Sequence, residues 1–118
     1  MNSKEKLEVI VKAADSKRAH NIVALNVHEV SLMADYFVIM DAASNRQVKS
    51  IADEVADQAE EAGISVKEVE GKDTAKWILL DLGDVIVHVF QEDEREYYNL
   101  EKLWSDANSV DVSEWVKD

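Results

Sequence analysis

The chain has 118 residues, no cysteine and a formal net charge of −12, which indicates one acidic domain without a disulfide framework. The excess negative charge lies in residues 51–70 and 92–118, at −6 each, and argues against direct nucleic-acid binding, because phosphate backbones are bound through Lys and Arg. No apolar window approaches the roughly 20 residues of a membrane span and no signal peptide is recognisable, so we expect a soluble cytoplasmic protein.

Two helices are predicted in the first half of the chain, over residues 3–18 and 44–63. In both segments apolar residues recur at helical spacing, and each begins with the spacing of a capping box. Between them, residues 22–30 and 35–42 have the composition of strands, the second one dense in aromatic and β-branched side chains.

The second half of the chain predicts three strands and a last helix. Residues 64–70 alternate and predict a strand, and residues 74–90 hold the longest apolar run. This run is broken around Gly83, a residue that adopts positive φ without steric penalty, and so predicts a β-hairpin. The last helix is predicted to reach Trp104, and residues 105–118 are predicted to form a weakly structured, polar and acidic tail.

The element order αββαβββα over residues 1–104 predicts the fold class. It indicates a single α/β (α+β) domain in which helices flank a mixed five-stranded sheet. Both faces of the predicted hairpin are largely apolar, so we expect other parts of the chain to cover both faces.

Few residues of the sequence suggest catalysis or metal binding. Asp81 and Asp84 flank the hairpin turn, where two carboxylates could share a cation or divide acid and base roles. Asp is also an ordinary turn residue, and a structural role is the preferred interpretation. His20, His28 and His88 lie on different elements without metal-ligand spacing, and a strand histidine is typically a hydrogen-bonded core residue. The sequence therefore predicts no catalytic residue, no metal and no cofactor.

Aromatic side chains near the hairpin suggest a partner-binding surface. Trp77 shares one strand face with Leu79 and Asp81, because side chains alternate along a strand. A strand tryptophan is usually part of the core, but tryptophan and tyrosine also anchor interfaces, and both interpretations stay open for Trp77. Tyr98 and Glu101 on the last helix are predicted to face outward near this surface. These five residues are the predicted partner-binding residues.

Three strings of the sequence form a specific pattern when taken together: DYFVIMDAASNRQVKSIADEV from Asp35, EGKDTAKWILLDLGDVIVHVF from Glu70 and REYYNLEKLW from Arg95. Over roughly residues 4–104 this pattern resembles the ribosomal silencing factors, also called Iojap-like proteins. The resemblance implies a topology related to nucleotidyltransferases, without catalytic activity, and a homodimer whose surface the strand pattern does not locate.

The same resemblance implies the partner and the mechanism. Its members bind the large ribosomal subunit through a basic ribosomal protein at the intersubunit face, the fourteenth of the large-subunit series. Binding there obstructs joining of the small subunit and represses translation. An acidic domain with an aromatic patch is suited to a basic protein surface, so the physical properties of the sequence agree with this hypothesis.

Two alternatives to a silencing factor are a non-catalytic dimeric adaptor and a nucleotidyltransferase-like enzyme. Such an enzyme needs a Gly-Ser loop for the triphosphate and two strand carboxylates, two residues apart, for Mg²⁺. The sequence has no Gly-Ser pair, and Asp81 and Asp84 are three residues apart across a turn. The enzyme is therefore the less favoured alternative.

Overall fold

A computed structural model describes residues 2–29, 34–98, 102 and 107–116, with the backbone alone for residues 96–98. The elements are α1 (Ser3–Ser16), β1 (His20–Asn26), β2 (Tyr36–Ala42), α2 (Asn45–Glu61), β3 (Glu68–Glu70), β4 (Trp77–Asp81), β5 (Val85–Gln91), α3 (Glu92–Tyr98) and β6 (Asn108–Val110). The strands form one mixed sheet in the order β3-β4-β5-β2-β1-β6. The predicted mixed α/β architecture is confirmed, with six strands in the sheet instead of five.

The hairpin of β4 and β5 forms where the apolar run predicted it. The backbone N–H of Leu82 donates to the carbonyl of Val85 at 3.0 Å, so the chain reverses over Gly83 and Asp84. Gly83 has φ +85°, a value that residues with a Cβ rarely adopt. β5 pairs in parallel with β2, and the other strand pairs are antiparallel.

The two predicted capping boxes have different outcomes. At α1 the Asn2 side chain accepts a hydrogen bond from Glu5 N–H at 2.8 Å, and the Glu5 carboxylate accepts one from Asn2 N–H at 3.2 Å. At α2, Ser44 Oγ accepts from Gln47 N–H at 3.2 Å, but the Gln47 amide donates to the carbonyl of Arg18. Ser44 is therefore a helix cap, and the reciprocal half of its box is replaced by a contact with the end of α1.

Helices α1 and α2 cover one side of the sheet, which we call the helix face. Its strand residues are apolar and fully buried, and alternate residues of β2, β4 and β5 contribute to it: Val38, Met40, Ile78, Leu80, Val85, Val87 and Val89. The helices pack onto them with their own buried stripes, Leu7, Ile10, Val11, Val48, Ile51 and Val55. The main core therefore lies between the two helices and the sheet.

The other side of the sheet carries a smaller and more aromatic cluster, which we call the aromatic face. It includes Phe37, Ile39 and Phe90, all buried, with Trp77 and Ile86 half-buried against them. Helix α3 follows β5 and contacts β5 and β2. Both faces of the hairpin are thus apolar, as predicted.

The C-terminal segment corrects the prediction of a weakly structured tail. β6 pairs with the outer edge of β1, Val112 is buried, and Trp115 and Val116 pack against the main core. A strand of three residues, Asn, Ser and Val, is too short to show alternation in the sequence. It forms because the edge of β1 is open to pairing.

The third strand is also shorter than predicted. It spans Glu68–Glu70, and the residues from 64 onward serve other contacts: Ile64 is buried directly after α2, and Lys67 N–H donates to the carbonyl of Asp81 at 2.8 Å. Among the described residues, no helix is both long enough and apolar enough to span a membrane.

Candidate partner-binding site

The hairpin exposes part of the aromatic face. Trp77, Leu79 and Asp81 alternate with the buried residues of β4 and are each half-buried, which confirms that they share one face. Ile86 on β5 lies opposite Asp81 and is also half-buried. We call Trp77, Leu79 and Ile86 the hairpin patch. Ile86 was missed from the sequence, although the hairpin register places it opposite Asp81 and diagonally next to Leu79.

The neighbouring edge strand gives this patch an acidic rim. In the register of β3 and β4, Glu68 lies opposite Asp81 and Glu70 lies opposite Leu79. Residues directly opposite one another in an antiparallel pair point to the same face of the sheet. Glu68 and Glu70, both exposed, therefore join Asp81 in what we call the acidic rim.

Trp77 belongs to the core and to the surface at once. Its ring stacks on Phe90 with the centroids 5.0 Å apart and the planes at 26°. Its Nε1–H donates a hydrogen bond to His88 Nδ1 at 3.1 Å. The side chain as a whole is half-buried. The core interpretation thus describes part of this residue, and its role as an interface anchor stays a prediction.

His88 is the buried partner of Trp77. It is 5% exposed, and it packs edge-on against Phe37 with centroids 5.2 Å apart. Burial lowers the pKa of His88 from 6.5 to about 4, because a low-dielectric environment disfavours the imidazolium. The ring is neutral at pH 7, and since Nδ1 accepts from Trp77, its proton is on Nε2. Among the described residues, Nε2 has no hydrogen-bond partner.

The two carboxylates of the hairpin turn have separate partners. Asp81 Oδ1 accepts a hydrogen bond from Gly83 N–H at 2.9 Å, which shapes the turn. Asp84 Oδ2 forms an ion pair with Lys6 Nζ at 2.9 Å, which ties the turn to α1. This arrangement favours the structural interpretation of both residues.

A buried ion pair attaches α3 to the aromatic face. Asp41 is 3% exposed, and its carboxylate is 2.9 Å from Nη1 of Arg95. Arg95 also donates to the carbonyl of Asn21 at 2.6 Å, and the Asn21 amide donates to Asp41 at 3.2 Å. The pair was missed from the sequence. The sequence does contain a sign of it: Asp41 is a single carboxylate in the otherwise apolar run of β2, and a buried carboxylate requires a positively charged partner.

Three residues near this ion pair could in principle hold a cation. Ligating atoms of His20, Asp41 and Glu92 lie within 4.8 Å of one another, and His20 Nδ1 is 3.6 Å from Glu92 Oε1. The Arg95 guanidinium already neutralises Asp41 and occupies one of its oxygens. The three residues are therefore better explained as the surroundings of the ion pair than as a metal centre.

The remaining predicted site residues are on or after α3. Tyr98 is the last residue of α3, and its side chain and the whole of Glu101 lie outside the described residues. Their outward orientation stays a prediction. The outer side of α2 is acidic, as predicted, with Asp53, Glu54, Asp57, Glu60 and Glu61, but α2 packs on the helix face and lies on the opposite side of the sheet from the hairpin patch.

Taken together, these features define a small α/β domain: α1 and α2 cover one face of the sheet, and the other face carries a half-buried tryptophan near an acidic rim. The profile of the family described as "Ribosomal silencing factor during starvation" matches residues 1–118. The chain belongs to this family, as predicted. The match continues past Trp104, which extends the range of roughly residues 4–104 that the sequence strings suggested.

Individual relatives support this assignment. The chain is 55% identical over 112 residues to "Ribosomal silencing factor RsfS" of Bacillus subtilis (strain 168), and the match covers 95% of each chain. A crystal structure of a protein from Bacillus halodurans is similar with a TM-score of 0.84 at 48% identity, over 93% of this chain and 100% of that one. The X-ray structure of protein CV0518 from Chromobacterium violaceum has a TM-score of 0.88 at 31% identity, over 89% and 88%.

Proposed function

We propose that this protein represses translation by binding the large ribosomal subunit with its hairpin patch. The partner is a basic ribosomal protein at the intersubunit face, the fourteenth of the large-subunit series, and occupation of that face blocks joining of the small subunit. The observation that carries this proposal is a half-buried tryptophan with an acidic rim, on the sheet face that α1 and α2 leave uncovered.

Trp77 has the properties of an interface anchor. Tryptophan is enriched among the residues that dominate binding energy, and such residues lie in patches where surrounding contacts exclude water. Stacking on Phe90 and the hydrogen bond to His88 hold the indole before the partner arrives. A preorganised side chain loses less conformational entropy on binding, which leaves more of the contact energy as affinity.

The charge around the patch favours a basic protein as the partner. Asp81, Glu68 and Glu70 lie beside the apolar residues, and the whole chain has a net charge of −12. Complementary charge accelerates encounter and selects among partners. Ribosomal RNA would be repelled by the same groups, so a protein of the large subunit is the preferred contact.

Cosedimentation with purified ribosomal subunits tests this proposal. We expect the protein to pellet with large subunits and not with small ones. Added before mixing of the two subunits, it should reduce the fraction that forms whole ribosomes. A protein that pellets with neither subunit, or that pellets with large subunits without affecting joining, would contradict the proposed mechanism.

Sedimentation of the protein alone tests whether it is a homodimer. A dimer that does not bind either subunit would favour the adaptor over the silencing factor.

We also propose that the protein is not an enzyme. Asp81 and Asp84 each have a partner of their own in the turn and in α1, which does not favour a shared Mg²⁺. Incubation with labelled nucleoside triphosphates and Mg²⁺ should give neither nucleotidyl transfer nor hydrolysis. Turnover that disappears in an Asp81→Asn, Asp84→Asn double variant would revive the enzyme.

A further inference from the structure

We infer that His88 is a positioning residue for binding: it accepts the indole hydrogen bond of Trp77 and thereby holds that side chain in the orientation that the partner meets. This inference rests on the proposed function, because it assigns the residue that prepares the anchor. His88 is only 5% exposed, so it would not touch the partner itself and would act through Trp77.

Two neighbouring residues on the aromatic side of β5 contact the indole of Trp77. Phe90 lies directly across from Trp77 in the strand register and supports the ring by stacking at 5.0 Å. His88, one step diagonally away, receives the indole N–H at 3.1 Å. The flat contact with Phe90 does not distinguish between the two χ2 orientations of a tryptophan ring. The hydrogen bond selects one orientation.

The protonation state of His88 suits this role. An imidazole that accepts at Nδ1 must be neutral and carry its proton on Nε2. Burial keeps the ring neutral across the physiological range, with a pKa of about 4. The lone pair at Nδ1 is therefore available to Trp77 at any pH at which ribosomes work.

A purely structural role explains His88 poorly. Its Nε2–H is buried and has no hydrogen-bond partner among the described residues, and leaving a donor unsatisfied in the interior costs free energy. The aromatic neighbours of the ring among the described residues are Phe37, Phe90 and Trp77, and a phenylalanine would pack against them without that cost. The feature that histidine adds at this position is the acceptor for Trp77. Functional residues often lower stability in this way.

The decisive variant is His88→Phe, which keeps a ring in the cluster and removes the acceptor. We expect its melting temperature at pH 7 to equal or exceed that of the unmutated protein. Its affinity for purified large ribosomal subunits should fall about fivefold, because an indole that is no longer held must be ordered when the partner binds, at a cost of about 1 kcal/mol. Indole N–H exchange of Trp77, followed by NMR on the free protein, should become faster.

Trp77→Phe provides the matched control, because it removes the donor. In the Trp77→Phe background, His88→Phe should cause no further loss of binding, since the interaction it removes is already absent. Losses that add up in the double variant, or a His88→Phe protein that binds as tightly as the unmutated one, would overturn the inference.

A measurement on the unmutated protein covers the case in which His88→Phe does not fold. The ¹⁵N shifts of the His88 ring should show an unprotonated Nδ1 and a protonated Nε2, and the reverse assignment would overturn the inference. The outcomes also separate the two proposals. If the unmutated protein does not bind large subunits, the proposed function fails. If the unmutated protein binds, Trp77→Ala loses binding and His88→Phe binds normally, only the role of His88 fails.

Discussion

The two faces of the sheet have the same apolar alternation in sequence but differ in the chemistry they bury. The strand residues of the helix face are apolar and fully buried, as Val87 and Val89 illustrate. The aromatic face contains the two buried polar residues found in the described part of the chain, Asp41 and His88, and the half-buried Trp77. Each buried polar group there has a contact that directs another residue: Asp41 holds Arg95 of α3, and His88 holds Trp77.

This difference supports the proposal that the partner binds the aromatic face. A face that serves stability alone has no reason to bury groups that cost desolvation energy. A buried polar group can instead fix the orientation of a neighbouring side chain, which matters for binding and not for stability. We therefore propose that the helix face stabilises the domain and that the aromatic face is the one that meets the partner.

The strongest test of the contrast places the same charge on either face of β5. Val87→Asp should cost several kcal/mol, on the order of the stability of the whole domain, because it buries an unpaired carboxylate in the main core. Ile86→Asp, one residue away on the half-buried patch, should be folded and defective mainly in binding. Thermal unfolding of both variants makes the comparison, and equal melting temperatures would contradict it.

A pH titration addresses the buried histidine of the aromatic face. Burial lowers the pKa of His88 from 6.5 to about 4 in the folded protein, so the unfolded chain binds the proton more readily. The contribution to stability is full above pH 6.5 and is lost as pH falls towards 4, by up to about 3 kcal/mol. Carboxylates also titrate in this range. We therefore compare the free energy of unfolding in urea at pH 7 and pH 4.5 for both proteins. His88→Phe should lose less of it between the two pH values than the unmutated protein does.

Truncation of the anchor should affect binding more than any other change to the hairpin patch. Trp77→Ala should weaken binding to large subunits by about 2 kcal/mol or more, roughly thirtyfold. The variant also loses its stacking on Phe90, so its melting curve must first establish that it is folded at the assay temperature. A folded Trp77→Ala protein that still pellets with large subunits and blocks joining would refute the assignment of this face.

The smallest expected effect comes from the acidic rim. Glu68→Lys replaces attraction by repulsion beside the hairpin patch and should reduce affinity about threefold, most strongly at low salt, where screening is weakest. Glu60→Lys is the matched control, because it makes the same charge change on the exposed side of α2, across the sheet from the patch. Equal losses for both variants would point to a general effect of net charge.

Patterns that act over a few residues were readable from the sequence alone. Helix periodicity, the cap at Ser44, the reversal at Gly83 and the shared face of Trp77, Leu79 and Asp81 all depend on near neighbours along the chain. The family was readable as well, because its three strings occur in a fixed order. These predictions are confirmed because local geometry determines which side of an element each residue occupies.

Contacts between distant segments were decided by the tertiary structure. The register of β3 places Glu68 beside Asp81, the open edge of β1 receives β6, and the parallel pairing of β2 with β5 brings Phe37 to His88. No local pattern encodes such contacts, since each depends on which strand lies next to which. The sequence therefore determined the elements and the family, and the packing of the sheet determined which polar groups surround Trp77, because strand order and register are set by the whole core.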